Sequence, residues 1–367
     1  MRRDEHPDPD AVQGRGTGAA DRGRPRQGPA APGAAGVPVT GPHRLPLGPE
    51  SPPEAIRDLQ QRLADQDLPT VPDRPGAFGS GTRAALEAFQ HRRGLRVDGI
   101  CGPQSWGAIV EAGYRIGDRF LYLRRPMLRG DDVADVQRRL SALGFDTGRV
   151  DGIFGPLTSQ ALADFQRNLA LPVDGILGAT TLVELLRVTP RHDHPELVSS
   201  VRDRERLRRG PRTLLGRRIA IGEEGGLDVL LSAIRRYLAA TGAQVVPLLH
   251  PDGSVQAAAA NAAEADVYLG LRLDPDHAQC LTAYYAGYNY ESAGGRRLAE
   301  LVQAQAVAAL DVPAGGVQGM TLTVLRETRM PAVVCEMGPP AVVVRRAGQL
   351  AAALVEALVS WATTPVE

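Results

Sequence analysis

One stretch of this chain is written twice. IRDLQQRL (56–63), GAFGSGTRAALEAFQ (76–90) and LRVDGICG (95–102) return in the same order as VADVQRRL (133–140), GIFGPLTSQALADFQ (152–166) and LPVDGILG (171–178). Phe78 and Phe154 lie 76 residues apart, as do Thr82 and Thr158, Phe89 and Phe165, and Gly99 and Gly175. The first segment is offset by 77, so the loop that follows it differs by one residue. Self-similarity at a fixed period means that one structural unit is built twice, and this constrains the fold before composition does.

Each copy carries the same physical logic. Ile56, Leu59 and Leu63, or Val133, Val136 and Leu140, fall on one face of a short amphipathic helix. After a Gly-rich loop, Thr82 and Thr158 are placed as N-cap residues of a second helix, which buries Leu86 and Phe89 or Leu162 and Phe165. The V-D-G that follows favours a tight turn with positive φ at glycine. A third helix then carries Trp106 and Ile109, or Leu182 and Leu185. The first copy departs in one place, with DRPGAFG where the second has RVDGIFG. The order D-V-Q-x-x-L, F-G-x-x-T, A-L-x-x-F-Q, V-D-G-x-x-G resembles the peptidoglycan-binding family 1 module. Two such modules are therefore expected, over 54–115 and 128–188. The resemblance implies peptidoglycan as ligand, held in an exposed groove whose residues the pattern does not identify.

The flanks read differently. Residues 1–50 are rich in Pro, Gly, Ala, Arg and Asp and poor in large apolar side chains, so they are expected to be disordered. Residues 189–212 contain RHDHPE and RDRERLRRGPR and are expected to be a linker, with His192 and His194 solvated. The 42 basic residues, all arginine, balance 42 acidic ones, which gives no reason to expect nucleic acid as a partner. Cys101, Cys280 and Cys335 are odd in number and show no CxxC spacing, against a disulfide framework or a thiolate zinc site. No apolar h-region follows MRRDEHPDPD, and no run reaches the length of a membrane span. A cytoplasmic location is expected, with cell-wall association as the alternative.

From Arg217 apolar strands alternate with helices. RRIAI (217–221), QVVPLL (244–249), DVYLGLRL (266–273), CLTAYYA (280–286) and AVVCE (332–336) read as strands, with helices near 225–241, 254–264, 293–310 and 347–362. The fold class expected for the whole chain is multidomain: two small three-helix modules, then an α/β domain with a helix-covered sheet over 215–363. G-A-Q-V-V, A-N-A-A-x-A-D-V-Y-L-G-L, G-R-R-L-A, T-V-L-R-E-T and M-P-A-V-V-C-E-M-G resemble the amidase_3 type of N-acetylmuramoyl-L-alanine amidase. That family implies a zinc ion held by two His and one Glu, which activates water and polarises the scissile amide, with a further Glu as general base.

Carried over residue by residue, the resemblance is uneven. Glu336 stands at the general-base position, and Glu223 matches the ligand Glu by its spacing to Gly242. The loop that carries the first His is missing from RRIAIGEEGG, and Arg272 stands where the second His belongs. His250, His277 and Cys280 are the other candidates for a rebuilt site. No metal or other cofactor is expected. An ion pair of Arg272 with Glu336, and with Glu223 as a candidate second partner, is expected in its place, which makes Glu336 a vestigial base.

The combination resembles the actinobacterial CwlM type of amidase homologue, also through YRIGDRFLY and GDDVADVQRRLSALGF. This resemblance implies a pseudoenzyme that regulates peptidoglycan synthesis, with peptidoglycan or its precursors and a cell-wall synthesis enzyme as candidate partners. It also implies control by phosphorylation, for which Thr363 and Thr364 are candidates. The competing expectation is an active zinc-dependent amidase that hydrolyses the muramoyl–L-alanine bond.

Overall fold

The computed structural model describes residues 43–189, 205, 208, 212–287 and 290–363. The N-terminal segment through residue 42, most of the 189–212 linker with His192 and His194, and Thr364 lie outside the described residues. Module 1 is built from α1 (Pro53–Ala64), α2 (Ser80–Arg92) and α3 (Pro103–Ala112). Module 2 repeats it with α4 (Asp131–Ala142), α5 (Pro156–Asn168) and α6 (Ala179–Val188). Leu59, Leu63, Leu86, Phe89, Trp106 and Ile109 close the first core; Val133, Val136, Leu140, Leu162, Phe165 and Leu185 close the second.

Thr82 and Thr158 do not cap their helices. Gly79 and Gly155 stand at the N-cap, and each threonine lies inside the first turn with its side chain buried. The reason is a buried glutamine in the first helix of each module. Gln137 Nε2 donates to Thr158 Oγ1 (3.0 Å) and Ile153 O (3.1 Å), while its Oε1 accepts from Gly152 N (2.8 Å) and Asp151 N (3.1 Å). Gln60 makes the matching bond to Thr82 Oγ1 (3.0 Å) and accepts from Gly76 N (2.8 Å). Gln90 and Gln166 bind the second turn of each module in the same way, accepting from Gly99 N and Gly175 N at 2.9 Å each. One amide thus satisfies the buried polar groups of a whole turn, which such groups require.

Where module 1 has DRPGAFG, Asp73 takes over the start of α2. It accepts from the amides of Thr82 (2.7 Å), Gly79 (2.9 Å) and Gly81 (3.2 Å). These bonds, the Thr82 amide foremost, hold its carboxyl below the usual range. Residues 43–50, expected to belong to a structureless segment, pack instead: Leu47 is buried in the core of module 1, and its amide donates to Cys101 O (3.0 Å). A single leucine with a fitting pocket overrides the polar composition around it.

The α/β domain holds strands β1 (Arg218–Glu223), β2 (Gln244–Leu249), β3 (Val267–Leu273), β4 (Cys280–Gly287), β5 (Tyr290–Glu291), β6 (Ala314–Met320) and β7 (Ala332–Met337). They run in the order β2-β1-β3-β7-β4-β5, with β6 on β4. β2, β1, β3 and β7 are mutually parallel, and β4 is antiparallel to β7. The strand β6 was not expected; Gly315, Gly316 and Gly319 erase the apolar alternation that marks a strand.

The two faces of the sheet are covered differently. Ile221, Leu271, Val333 and Cys335 pack under α7 (Asp228–Ala240), α9 (Ala293–Leu310) and α12 (Ala347–Thr363). Ala220, Tyr268, Ala283, Tyr285 and Val334 face the other way, toward α8 (Gly253–Ala262) and α10 (Thr323–Glu327). Ala134 and Val150 of module 2 belong to that second core. The short α11 (Pro340–Arg345) leads from β7 into α12. The repeat modules therefore supply part of a layer that helices of the α/β domain would otherwise provide.

Replacing Gln137 by Leu is expected to cost about 3 kcal/mol in urea unfolding, because buried amides and carbonyls lose their partner. Gln160→Leu on the exposed face of α5 should stay within about 0.5 kcal/mol. Asp73→Ala is expected to lower the thermal midpoint at neutral pH. A depressed carboxyl contributes above its unfolded pKa and loses that contribution as pH falls through its folded value. The gap between variant and parent should therefore close below about pH 4.

Candidate functional site

The carboxyl ends of β1, β3 and β7 lie side by side, the edge where open α/β sheets present their ligands. The parallel register sets Arg272 of β3 directly opposite Glu336 of β7. Both residues share a face, and Arg272 Nη1 donates to Glu336 Oε1 at 3.0 Å. The expected pair forms. Its expected extension to Glu223 does not: Arg272 Nε donates to Glu224 Oε1 at 3.0 Å, and Nη2 reaches the same oxygen. Side chains alternate along a strand, and Ile219 and Ile221 of β1 point to the α7 side. Glu223 follows them to that face, so its neighbour Glu224 meets Arg272.

Glu223 ends β1 and does not open a helix. It is 1% exposed. Its Oε2 accepts from Leu227 N (3.1 Å), just ahead of α7, and its Oε1 has no hydrogen-bond partner among the described residues.

A second cation reaches Glu336 from module 1. Arg96, in the L-R-V-D-G turn of module 1, donates through Nη2 to Glu336 Oε1 at 2.6 Å. Glu336 is 8% exposed and thus lies between two guanidiniums, one from each domain. Burial opposes the charge on Arg272, but the carboxylates of Glu224 and Glu336 raise its pKa above the ordinary value.

The other candidate ligands do not converge. His250 Nδ1 accepts from Asp252 N (2.9 Å), and His277 Nδ1 lies 3.0 Å from Asp274 Oδ2. Cys280 is buried with its Sγ 3.6 Å from Cys335 Sγ. Among the described residues no three His, Cys, Asp or Glu side chains gather as metal donors. Zinc needs deprotonated N, S or O donors with room at the ion. A guanidinium offers only donors and stays protonated. The residues at this edge do not fit a zinc ion.

Arginine also makes several further contacts between the modules and the α/β domain. Arg326 of α10 donates to Asp151 O of module 2 (2.7 Å) and to Glu111 Oε2 of module 1 (2.8 Å). Burial works against its charge, and Glu111 foremost raises its pKa above the ordinary value. Arg149 donates to Thr328 O (2.6 Å) and Met330 O (3.0 Å), and Arg129 to Glu327 (2.7 Å). Arg93 binds Asp131 through two bonds of 2.8 and 2.7 Å and so ties the modules together. A cleft of about 530 Å³ remains at this junction, lined by Arg93, Glu111, Asp131, Tyr285, Thr321 and Arg326.

The roles of Arg96, Glu224 and Arg326 escaped the motifs. A signal for Arg96 lies in the repeat: 76 residues on, the second copy has Pro172. The repeat's own core needs neither residue, so the difference marks a surface put to different uses.

Comparison with known proteins follows this division. The peptidoglycan binding domain family matches residues 52–109 and 129–185, and the N-acetylmuramoyl-L-alanine amidase family matches 224–339. The chain is 36% identical over 295 residues to the N-acetylmuramoyl-L-alanine amidase CwlM of Mycobacterium tuberculosis, covering 71% of each. It is 31% identical over 152 residues to the amidase CwlL of Bacillus licheniformis, covering 35% of this chain and 42% of that one. A spore cortex-lytic enzyme of Bacillus cereus is 50% identical over 60 residues, 16% of this chain and 23% of that one.

Arg272→Gln is expected to lower stability by about 2 kcal/mol in urea unfolding, since it takes a cation from a nearly buried carboxylate. Glu224 has a side chain 38% exposed, and Glu224→Gln should cost less than about 1 kcal/mol. Equal losses would contradict the ranking.

Proposed function

Because the chain belongs to the N-acetylmuramoyl-L-alanine amidase family that includes CwlM of Mycobacterium tuberculosis, with two peptidoglycan-binding domains ahead of the amidase domain, we propose that it is a non-catalytic member that binds peptidoglycan or its precursors and regulates cell-wall synthesis. The observation that carries this reading is the pair of guanidiniums on Glu336.

Amide hydrolysis at neutral pH needs an activated water and a polarised carbonyl, both of which zinc supplies in this family. A general base must also present a free lone pair to that water. Here two guanidiniums hold Oε1 of Glu336, which leaves only Oε2 with free lone pairs, and Arg272 stands where the resemblance expects an imidazole. The edge of the sheet is organised as an ion-pair network linking two domains. Such a network positions domains and has no evident way to cut a bond.

In this reading the modules recognise the ligand. The V-D-G turn of each module stays open, with Val97 and Ile100 of module 1 and Val173 and Ile176 of module 2 exposed. The protein acts from the cytoplasmic side on precursors, and its output passes to a cell-wall synthesis enzyme. Thr363, the candidate phosphorylation site within the described residues, closes the last turn of α12, its hydroxyl 3.0 Å from Val359 O.

Metal analysis of the purified full chain, paired with a muropeptide digestion assay, tests the proposal. The expected result is zinc well below one ion per chain and no release of stem peptide. One zinc per chain, with product formation that a chelator abolishes, would establish the active amidase instead. Co-sedimentation of the full chain with purified peptidoglycan is expected to show saturable binding whatever the outcome of the digestion.

A further inference from the structure

The two modules repeat each other but meet the α/β domain through opposite ends. Module 1 uses the turn after α2. Thr321 N donates to Gly94 O at 2.7 Å, and Thr321 Oγ1 to Arg93 O at 2.6 Å. The Cβ position of Gly94 (φ +61°) lies 3.4 Å from Ala286 O and from Gly319 O, so the turn is seated directly on β4 and β6. From that turn Arg96 extends to Glu336. Module 2 uses the turn after α4, where Arg149 binds Thr328 O and Met330 O.

The sequence differences between the copies follow this split. Pro172 matches Arg96, and Asp73 matches Arg149. Proline cannot bind a carboxylate. Asp73 is occupied with the amides of its own helix. At these two matched positions each copy has an arginine only on the turn that docks.

We propose that module 1 is a lid on the sheet face that bears Glu336, latched by Arg96. The lid closes the part of the face over β4 and β6, next to the part that α8 covers. With the lid docked, Glu336 is 8% exposed and its Oε1 is already taken by Arg96 and Arg272, so a ligand engages that oxygen only after Arg96 lets go. The latch is small. It consists of two ion pairs, Arg96–Glu336, whose arginine side chain is 48% exposed, and Arg326–Glu111, with hydrogen bonds from Thr321, while Arg93–Asp131 ties module 1 to module 2. The hydrophobic core of module 1 lies among its own helices, so the module can lift without unfolding. A ligand that offers a carboxylate to Arg96 competes with Glu336 for the same guanidinium, which makes ligand binding and opening of the lid a single event. The lid does not depend on whether the domain is catalytic.

Hydrogen–deuterium exchange on the full chain tests the lid. Thr321 N is a direct reporter, because Gly94 O is its acceptor. In Arg96→Ala, the peptide covering 319–322 is expected to exchange about tenfold faster or more at Thr321 N, the factor set by loss of one charge-assisted hydrogen bond. The helices of module 1 and α12 should keep their parental rates. Arg96→Lys, which retains the charge, should recover most of the protection. Thr321→Val, which touches the latch from the other side, should reproduce the pattern of Arg96→Ala. Unchanged exchange at 319–322 in Arg96→Ala or in Thr321→Val would overturn the lid. Faster exchange throughout α1, α2 and α3 in either variant would overturn it as well, since the module would then unfold and not lift.

Discussion

A carboxylate nearly sealed from water at the end of a central strand has to be compensated, and in this protein much else follows from how Glu336 is. Removing an ionised group from water costs several kcal/mol unless paired and hydrogen-bonded. Glu336 accepts from Arg272, placed opposite it by the parallel register of β3 and β7, and from Arg96, carried in by a separate module. Charge balance at the sheet edge and docking of module 1 are therefore one problem with one solution. Where the amidase resemblance expects one of its ligand His, the chain has Arg272, and this fixed cation with Arg96 neutralises the carboxylate with protein atoms.

The same chemistry recurs across the molecule. Arg326 joins the sheet domain to both modules, Arg149 and Arg129 hold module 2, and Arg93 ties the modules together. All 42 basic residues are arginine, whose planar fork binds carboxylates through two bonds and reaches several backbone carbonyls from one position. This suits contacts between domains that need direction more than apolar area. The modules complete the second layer of the sheet with little more than Ala134 and Val150 in its core. Polar contacts align them there, and polar contacts can be exchanged for others.

Much of this was legible from residue order. The repeat marked two three-helix units because apolar residues at helical spacing recur with the turns between them. Arg272 and Glu336 were matched before any contact was known, because the amidase resemblance places both at its site, each in a strand whose hydrophobic pattern is plain. Errors arose where local pattern and tertiary demand part. Thr82 and Thr158 look like helix caps, but a buried glutamine claims their hydroxyls. Leu47 sits in a segment of disordered composition, yet fills a pocket. The glycines of β6 hide a strand whose pairing on β4 is set by the sheet.

Sequence by itself determined what each unit is: two modules and an α/β sheet. Those features are local, set by periodicities of 3.6 and 2, whereas the base position of Glu336 and the ligand position of Arg272 are what the family resemblance implies. Only the tertiary structure decided which groups meet. Glu224, and not Glu223, faces Arg272, because one residue of offset along a strand reverses the side chain. Arg96 reaches Glu336 across 240 residues of chain, because a contact between domains depends on how two folded surfaces fit and leaves no periodic trace in either one. The contrast between Arg96 and Pro172 was visible from the beginning, but its meaning appeared only once one of the two turns was seen to rest on the sheet.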